Sequence, residues 1–151
     1  MIFRLVVKYL KVFKYIPFFA LWLDAMMMIW NMLFKPDLGH ALEWIEEEVS
    51  AWPGVNVTLH KFGGLQFNYG KYELGHIHSN GILDILFPRK TKHELIDKGL
   101  TNEHHVFKKS GWTSLYIKSS NDVEKALSLI KVSYKRRQTA SATSHSAPEA
   151  R

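Results

Sequence analysis

Between Val55 and Phe87, glycine-bearing breaks interrupt the chain so often that only short strands fit. The runs Val55–His60, Leu65–Tyr69, Tyr72–His78 and Ile82–Phe87 are separated by Gly63-Gly64, Gly70-Lys71 and Ser79-Asn80-Gly81, a spacing suited to hairpins. An antiparallel meander is expected. On its N-terminal side, Leu38, Leu42, Ile45, Val49 and Trp52 recur at helical intervals, with Asp37 placed to cap the helix and Pro53-Gly54 to end it. On the other side, Thr91 and Glu94 read as the capping box of a short helix closed by Gly99. A strand Trp112–Lys118 follows Gly111, and a last helix starts near Ser120–Asn121, with Val123, Leu127, Ile130 and Tyr134 on one face. This order predicts an α+β domain over residues 36–134. Its antiparallel sheet has four to five strands, with helices packed on one face.

Residues 1–35 differ in kind. Arg4, Lys8, Lys11 and Lys14 fall in one helical sector of about 120° while apolar residues fill much of the rest, the pattern of a basic amphipathic helix at an anionic membrane surface. Pro17 marks a bend or a fresh helix start, and the stretch Ile16–Phe34 has Asp24 and Asn31 as its only strongly polar residues; as a helix it would reach about 28 Å. An ionised Asp24 near the middle of a bilayer would cost about 2.5–3.5 kcal/mol. Because Asp24, Asn31 and Lys35 share one face, the expectation is a membrane-associated hydrophobic helix with a polar seam. It either spans the membrane or lies in its interface, and it can pair with another copy as a homo-oligomer. A buried helix in a soluble oligomer is the alternative. Beyond Tyr134, residues 135–151 are small, polar and aperiodic and read as a disordered tail.

Charge placement argues against nucleic acid as a partner. Although the formal charge is +6, the ends carry it, and residues 36–134 hold 11 basic and 12 acidic residues. The absence of cysteine excludes disulfides, thiolate nucleophiles and thiolate metal sites. No nucleotide-cofactor motif, nucleophile elbow or zincin motif is present.

Chemistry is concentrated in the histidines, six of the eight lying between His60 and His105. In a strand His76 and His78 share a side about 7 Å apart, close enough for one divalent metal. Asp84 is the candidate third group, but only if the hairpin register allows it. A three-residue Ser79-Asn80-Gly81 loop with Gly81 at positive φ sets His76 opposite Asp84, whereas a two-residue Asn80-Gly81 turn sets His76 opposite Ile85. The three-residue loop is expected, because a carboxylate amid Ile82, Leu83, Ile85 and Leu86 needs a partner, and such a partner imidazole should titrate higher. A metal site, an acid–base site without metal and a purely structural role all stay open for these residues.

Taken together, His76-x-His78, the Phe87-Pro88-Arg89 step, His105, the Trp112 strand and the closing helix around Asp122 resemble the core of the luciferase-like domain family over roughly residues 74–136. That family includes uncharacterised bacterial proteins and the membrane-associated fungal luciferases, which oxidise a small aromatic luciferin with molecular oxygen. The resemblance implies oxygen-dependent or acid–base chemistry on a small hydrophobic molecule at a membrane, in an enzyme of oxidoreductase type. His76, His78, Asp84 and His105 are then the candidate catalytic residues, His76 and His78 the metal ligands, and Trp112 and Arg89 the substrate contacts. This chain is much shorter than the fungal enzymes and has Asp84 where they carry a histidine, so light emission is not expected. A non-catalytic ligand- or protein-binding module anchored at a membrane is the reading from a different class.

Overall fold

A computed structural model describes residues 19–145. The described elements are α1 (Phe19–Phe34), α2 (Pro36–Ser50), β1 (Val55–Leu59), β2 (Leu65–Tyr69), β3 (Tyr72–Ile77), β4 (Ile82–Leu86), α3 (Arg89–Asp97), β5 (Asn102–Glu103), β6 (Trp112–Tyr116), a 3₁₀ turn (Ser120–Asp122) and α4 (Val123–His145). The strands form one antiparallel sheet in the order β1-β2-β3-β4-β6-β5. The four meander strands and β6 lie where their sequence pattern places them. β5, a sixth strand at the edge, is too short and too polar to show a pattern.

Helices α2 and α4 pack against each other and against the sheet. Ala41, Ile45 and Val49 of α2 meet Val123, Ala126 and Ile130 of α4 in a core closed by Phe67, Leu83, Ile85 and Leu115 from the strands, and each of these is almost wholly buried. Alternation along the strands then decides everything on the other face. Thr58, Gln66, His76, Asp84, Ser114 and Asn102 pair in succession across all six strands, forming one polar row away from the α2 and α4 core.

Several helix ends differ from expectation for identifiable reasons. Lys35 occupies the cap of α2 with Pro36 inside the first turn, so Asp37 sits in the first turn and meets the helix dipole without capping. The Thr91–Glu94 capping box does not form, because α3 starts three residues earlier, capped by Pro88, whose φ of −56° already suits a helix entry. Asp122 instead makes a capping box with Ser119. Helix α4 runs on to His145, so residues 135–145 are helical where a disordered tail was expected. No glycine or proline interrupts that stretch, and its alanines favour continuation.

The polar seam of α1 turns inward, onto the domain itself. Asp24 Oδ2 accepts from the Gly64 amide at 2.7 Å and its Oδ1 from the Ser79 amide at 3.2 Å, while the Asn31 amide donates to the Ser79 carbonyl. Close approach depends on Gly63, where any Cβ would lie 2.5 Å from that of Asp24. Away from these contacts α1 exposes Met26, Met28, Ile29, Trp30, Leu33 and Phe34. Among the described residues no helix is long and apolar enough to cross a membrane. The basic amphipathic segment and Pro17 lie outside the described residues, as do residues 146–151.

The β3–β4 hairpin has the three-residue loop: Gly81 sits at φ +84°, its amide donates to the His78 carbonyl, and His76 pairs with Asp84. A Cβ on Gly81 would lie 2.3 Å from the Ile117 carbonyl oxygen. Gly81→Ala should therefore lower stability in urea denaturation by about 2 kcal/mol or more. Gly39→Ala, in α2 with nothing within 4 Å of an added Cβ, should raise it by about 0.5–1 kcal/mol. Equal effects at the two glycines would defeat the register argument.

Candidate functional site

Asp84 is the centre of the polar row. Its carboxylate is 1% exposed, and three imidazoles face one of its oxygens: the Nε2 atoms of His76, His78 and His104 lie 3.6, 4.0 and 3.5 Å from Oδ2. These distances are long for hydrogen bonds. The other oxygen, Oδ1, accepts from the Ser114 hydroxyl at 2.5 Å. His60, at the end of β1, stacks on His76 with ring centres 3.8 Å apart and planes 7° from parallel. His105 stacks on His104 at 4.4 Å. Candidate ligand atoms of His60, His76 and His78 lie within 4.8 Å of one another, as do those of Asp84, His104 and His105.

Local hydrogen bonds assign the protons. His76 Nδ1 lies 2.6 Å from Glu73 Oε1, so Nδ1 carries a proton toward that carboxylate and Nε2 faces Asp84. His104 is the reverse. Its Nδ1 accepts from the amides of Val106 and Phe107, both at 3.0 Å, so in the neutral ring Nε2 carries the proton and donates toward Asp84. A metal at that Nε2 would require an imidazolate, which makes His104 a donor rather than a ligand.

Titration follows from these contacts. Burial pushes His76 down, but the Asp84 and Glu73 carboxylates outweigh it and raise the pKa above the usual imidazole value. Burial opposes ionisation of Asp84 as well, yet His76, Ser114 and His104 hold its pKa below the ordinary carboxylate range. His78 and His104 are lowered, chiefly by burial. His60 falls to about 4, through burial and the neighbouring His76 and His78. The cluster thus favours a proton on one imidazole, His76.

Aromatic rings border the histidines. Trp112 lies 5.4 Å from His76 and 6.1 Å from His104, the exposed Phe107 lies 5.2 Å from His104, and the exposed Phe62 lies 5.6 Å from His60. His76, His78, Asp84, His105 and Trp112 are all brought together here. Arg89 stands apart, exposed and lining a separate cavity with Lys92, His93 and Lys108.

Sequence reasoning did not single out His60, Glu73 or Ser114, and of the adjacent His104 and His105 it placed only His105 in the site. Glu73 and His76 are three apart, a separation that points to opposite faces in a regular strand. A bulge skips one residue, so Phe67 pairs with Gly75 but Asn68 with Glu73, which turns Glu73 onto the His76 face. Ser114 follows from the register alone, once β4 and β6 are paired. His104 and His105 follow β5, outside a strand, which frees both from alternation.

Residues 71–133 match the family model described as Luciferase domain. Neither the curated proteins nor the solved structures yield a match to the chain.

Acid should reveal the His60 environment. The folded state resists protonating His60 until about pH 4, whereas the unfolded chain takes up that proton near pH 6.5. Stability is therefore unaffected above pH 6.5 and lost progressively as pH falls toward 4. Urea denaturation across that range should show a shallower loss for His60→Gln than for the wild type. An unchanged slope would mean that His60 titrates normally.

Proposed function

Because the chain carries a luciferase-like domain, we propose that its histidine cluster is the reactive centre of a protein acting on a small aromatic or otherwise apolar molecule, with a divalent metal held by His76, His78 and Asp84. The observation that carries this reading is the convergence of the His76 and His78 Nε2 atoms on Asp84 Oδ2 at 3.6 and 4.0 Å. Donor atoms sharing one cation at about 2.1 Å each stand about 3.0–3.4 Å apart, so both histidines would have to draw closer to Asp84 than the 3.6 and 4.0 Å seen here. Two histidines and a carboxylate with open positions form the donor set of oxygen-activating iron(II) sites. Such an ion supplies a binding place for oxygen and Lewis acidity.

The chain's own residues do the rest. Glu73 orients the His76 ring through Nδ1, and Ser114 orients the Asp84 carboxylate. His104 presents an Nε2–H donor beside the ligands. Trp112, Phe107 and Phe62 offer apolar faces for a flat molecule. Metal capture must displace the proton that His76 Nε2 holds, so affinity should rise with pH through the raised His76 titration.

The proposal also sets α1 on a membrane surface, because the face opposite its docked seam is apolar and exposed and a basic segment precedes it. Hydrogen bonds from both Asp24 and Asn31 to the domain favour an interfacial helix over a spanning one.

Two measurements check this. Cobalt(II) titration of the full-length protein should show one site, with affinity lowered at least a hundredfold by His76→Ala, His78→Ala or Asp84→Asn; a protein that binds no cobalt would favour the non-catalytic binding module instead. In sedimentation with vesicles containing anionic phospholipid, Trp30→Ser with Leu33→Ser should weaken binding about tenfold, in line with about 1.5 kcal/mol of lost apolar burial. Full recovery of the wild type in the vesicle-free supernatant would remove the membrane from the proposal.

A further inference from the structure

Lys92 is a buried cation without a buried anion. Its side chain is 3% exposed, and its ammonium donates to the Lys108 carbonyl at 2.7 Å and the Ser110 carbonyl at 2.9 Å. Among the described residues no carboxylate lies within ion-pair distance of it. Two neutral carbonyls satisfy donors but leave the charge uncompensated.

This cation borders a half-open cavity of about 360 Å³ that is positive by composition. Arg89, His93, Lys108 and Lys109 line it with Lys92, against a single carboxylate, Glu103. The same wall begins α3, whose cap residue Pro88 offers no side-chain hydrogen bond. The first intrahelical bond runs from the Lys92 amide to the Pro88 carbonyl, so the amides of Arg89, Lys90 and Thr91 precede the helical ladder and gather its dipole. Cavity, buried ammonium, arginine and open helix start all call for one kind of occupant, an oxyanion.

The loop that forms this wall also forms the aromatic border of the histidine site. Phe107 faces His104, while its neighbours Lys108 and Lys109 line the cavity. Ser110, also on the cavity wall, accepts through its hydroxyl from the Trp112 amide. We propose that this cavity is an oxyanion subsite taking the carboxylate or phosphate end of the small molecule whose apolar body meets Trp112 and Phe107. The anion site stands on its own geometry, and only the identity of its ligand as substrate rests on the function proposed above.

Calorimetric titration of EDTA-treated full-length protein at low ionic strength tests this, with inorganic phosphate and benzoate as probes and benzamide as the neutral control. Phosphate and benzoate should bind saturably and compete with each other, and benzamide should bind at least tenfold more weakly than benzoate. Arg89→Ala and Lys92→Met should each weaken phosphate at least tenfold, while Lys71→Ala in the β2–β3 turn should change it less than twofold. If Lys92→Met does not fold, the exposed Arg89 decides. Absence of saturable binding by the wild type, or phosphate affinity unaltered in Arg89→Ala, overturns the subsite. Phosphate binding in a protein that takes no cobalt would leave the subsite standing and sink only the metal.

Discussion

A carboxylate buried on a sheet is the constraint from which the site follows. Asp84 cannot stay ionised at 1% exposure unless neighbouring strands supply partners, and the antiparallel register supplies them on both sides. His76 comes from β3 and Ser114 from β6. A one-residue slip at either ladder would turn one partner into the helix-packed core and leave the charge under-compensated. The Ser79-Asn80-Gly81 loop thus sets the His76–Asp84 register as well as turning the chain. Its left-handed glycine keeps the polar row intact.

Most of the fold was readable because alternation and helical periodicity are strong signals over Val55–Phe87 and Val123–Tyr134. His76, His78 and Asp84 were readable together for a further reason: the burial cost of an acid among isoleucines and leucines selects one loop length over another. What escaped was whatever depends on departures from regular geometry. Glu73 joins the site through a bulge, and His104 and His105 through an irregular segment after a two-residue strand. Neither feature has a periodic signature. The extension of α4 to His145 escaped because polar, small-residue composition resembles disorder although nothing in it breaks a helix.

Helix α1 shows how a local pattern can be right and its partner different from the one expected. Asp24 and Asn31 do mark one face, whereas Lys35 lies beyond the helix as the cap of α2; the pattern alone suggested an interface or a second copy. In the folded chain Asp24 and Asn31 meet the Gly63-Gly64 turn after His60 and the Ser79 turn after His78. The polar groups of those turns would otherwise seek water, and the Asp24 carboxylate accepts two of their amides at once. One consequence is a division of labour on α1. Its polar face holds two histidine-bearing turns, and apolar residues elsewhere on the helix stay exposed.

The arrangement of hydrogen bonds around the histidines separates residues that look equivalent in sequence. His76 and His104 both point Nε2 at Asp84, but Glu73 holds the Nδ1 proton of one ring, whereas two backbone amides occupy Nδ1 of the other. The first ring can release its Nε2 proton and become a ligand or base. The second cannot do so without becoming an anion, so it remains a donor. Burial keeps His60, His78 and His104 neutral in preference to charged, which limits repulsion around His76. Three imidazoles thus face one carboxylate with different roles: His76 is the ring on which a proton is favoured, and His104 is fixed as a neutral donor.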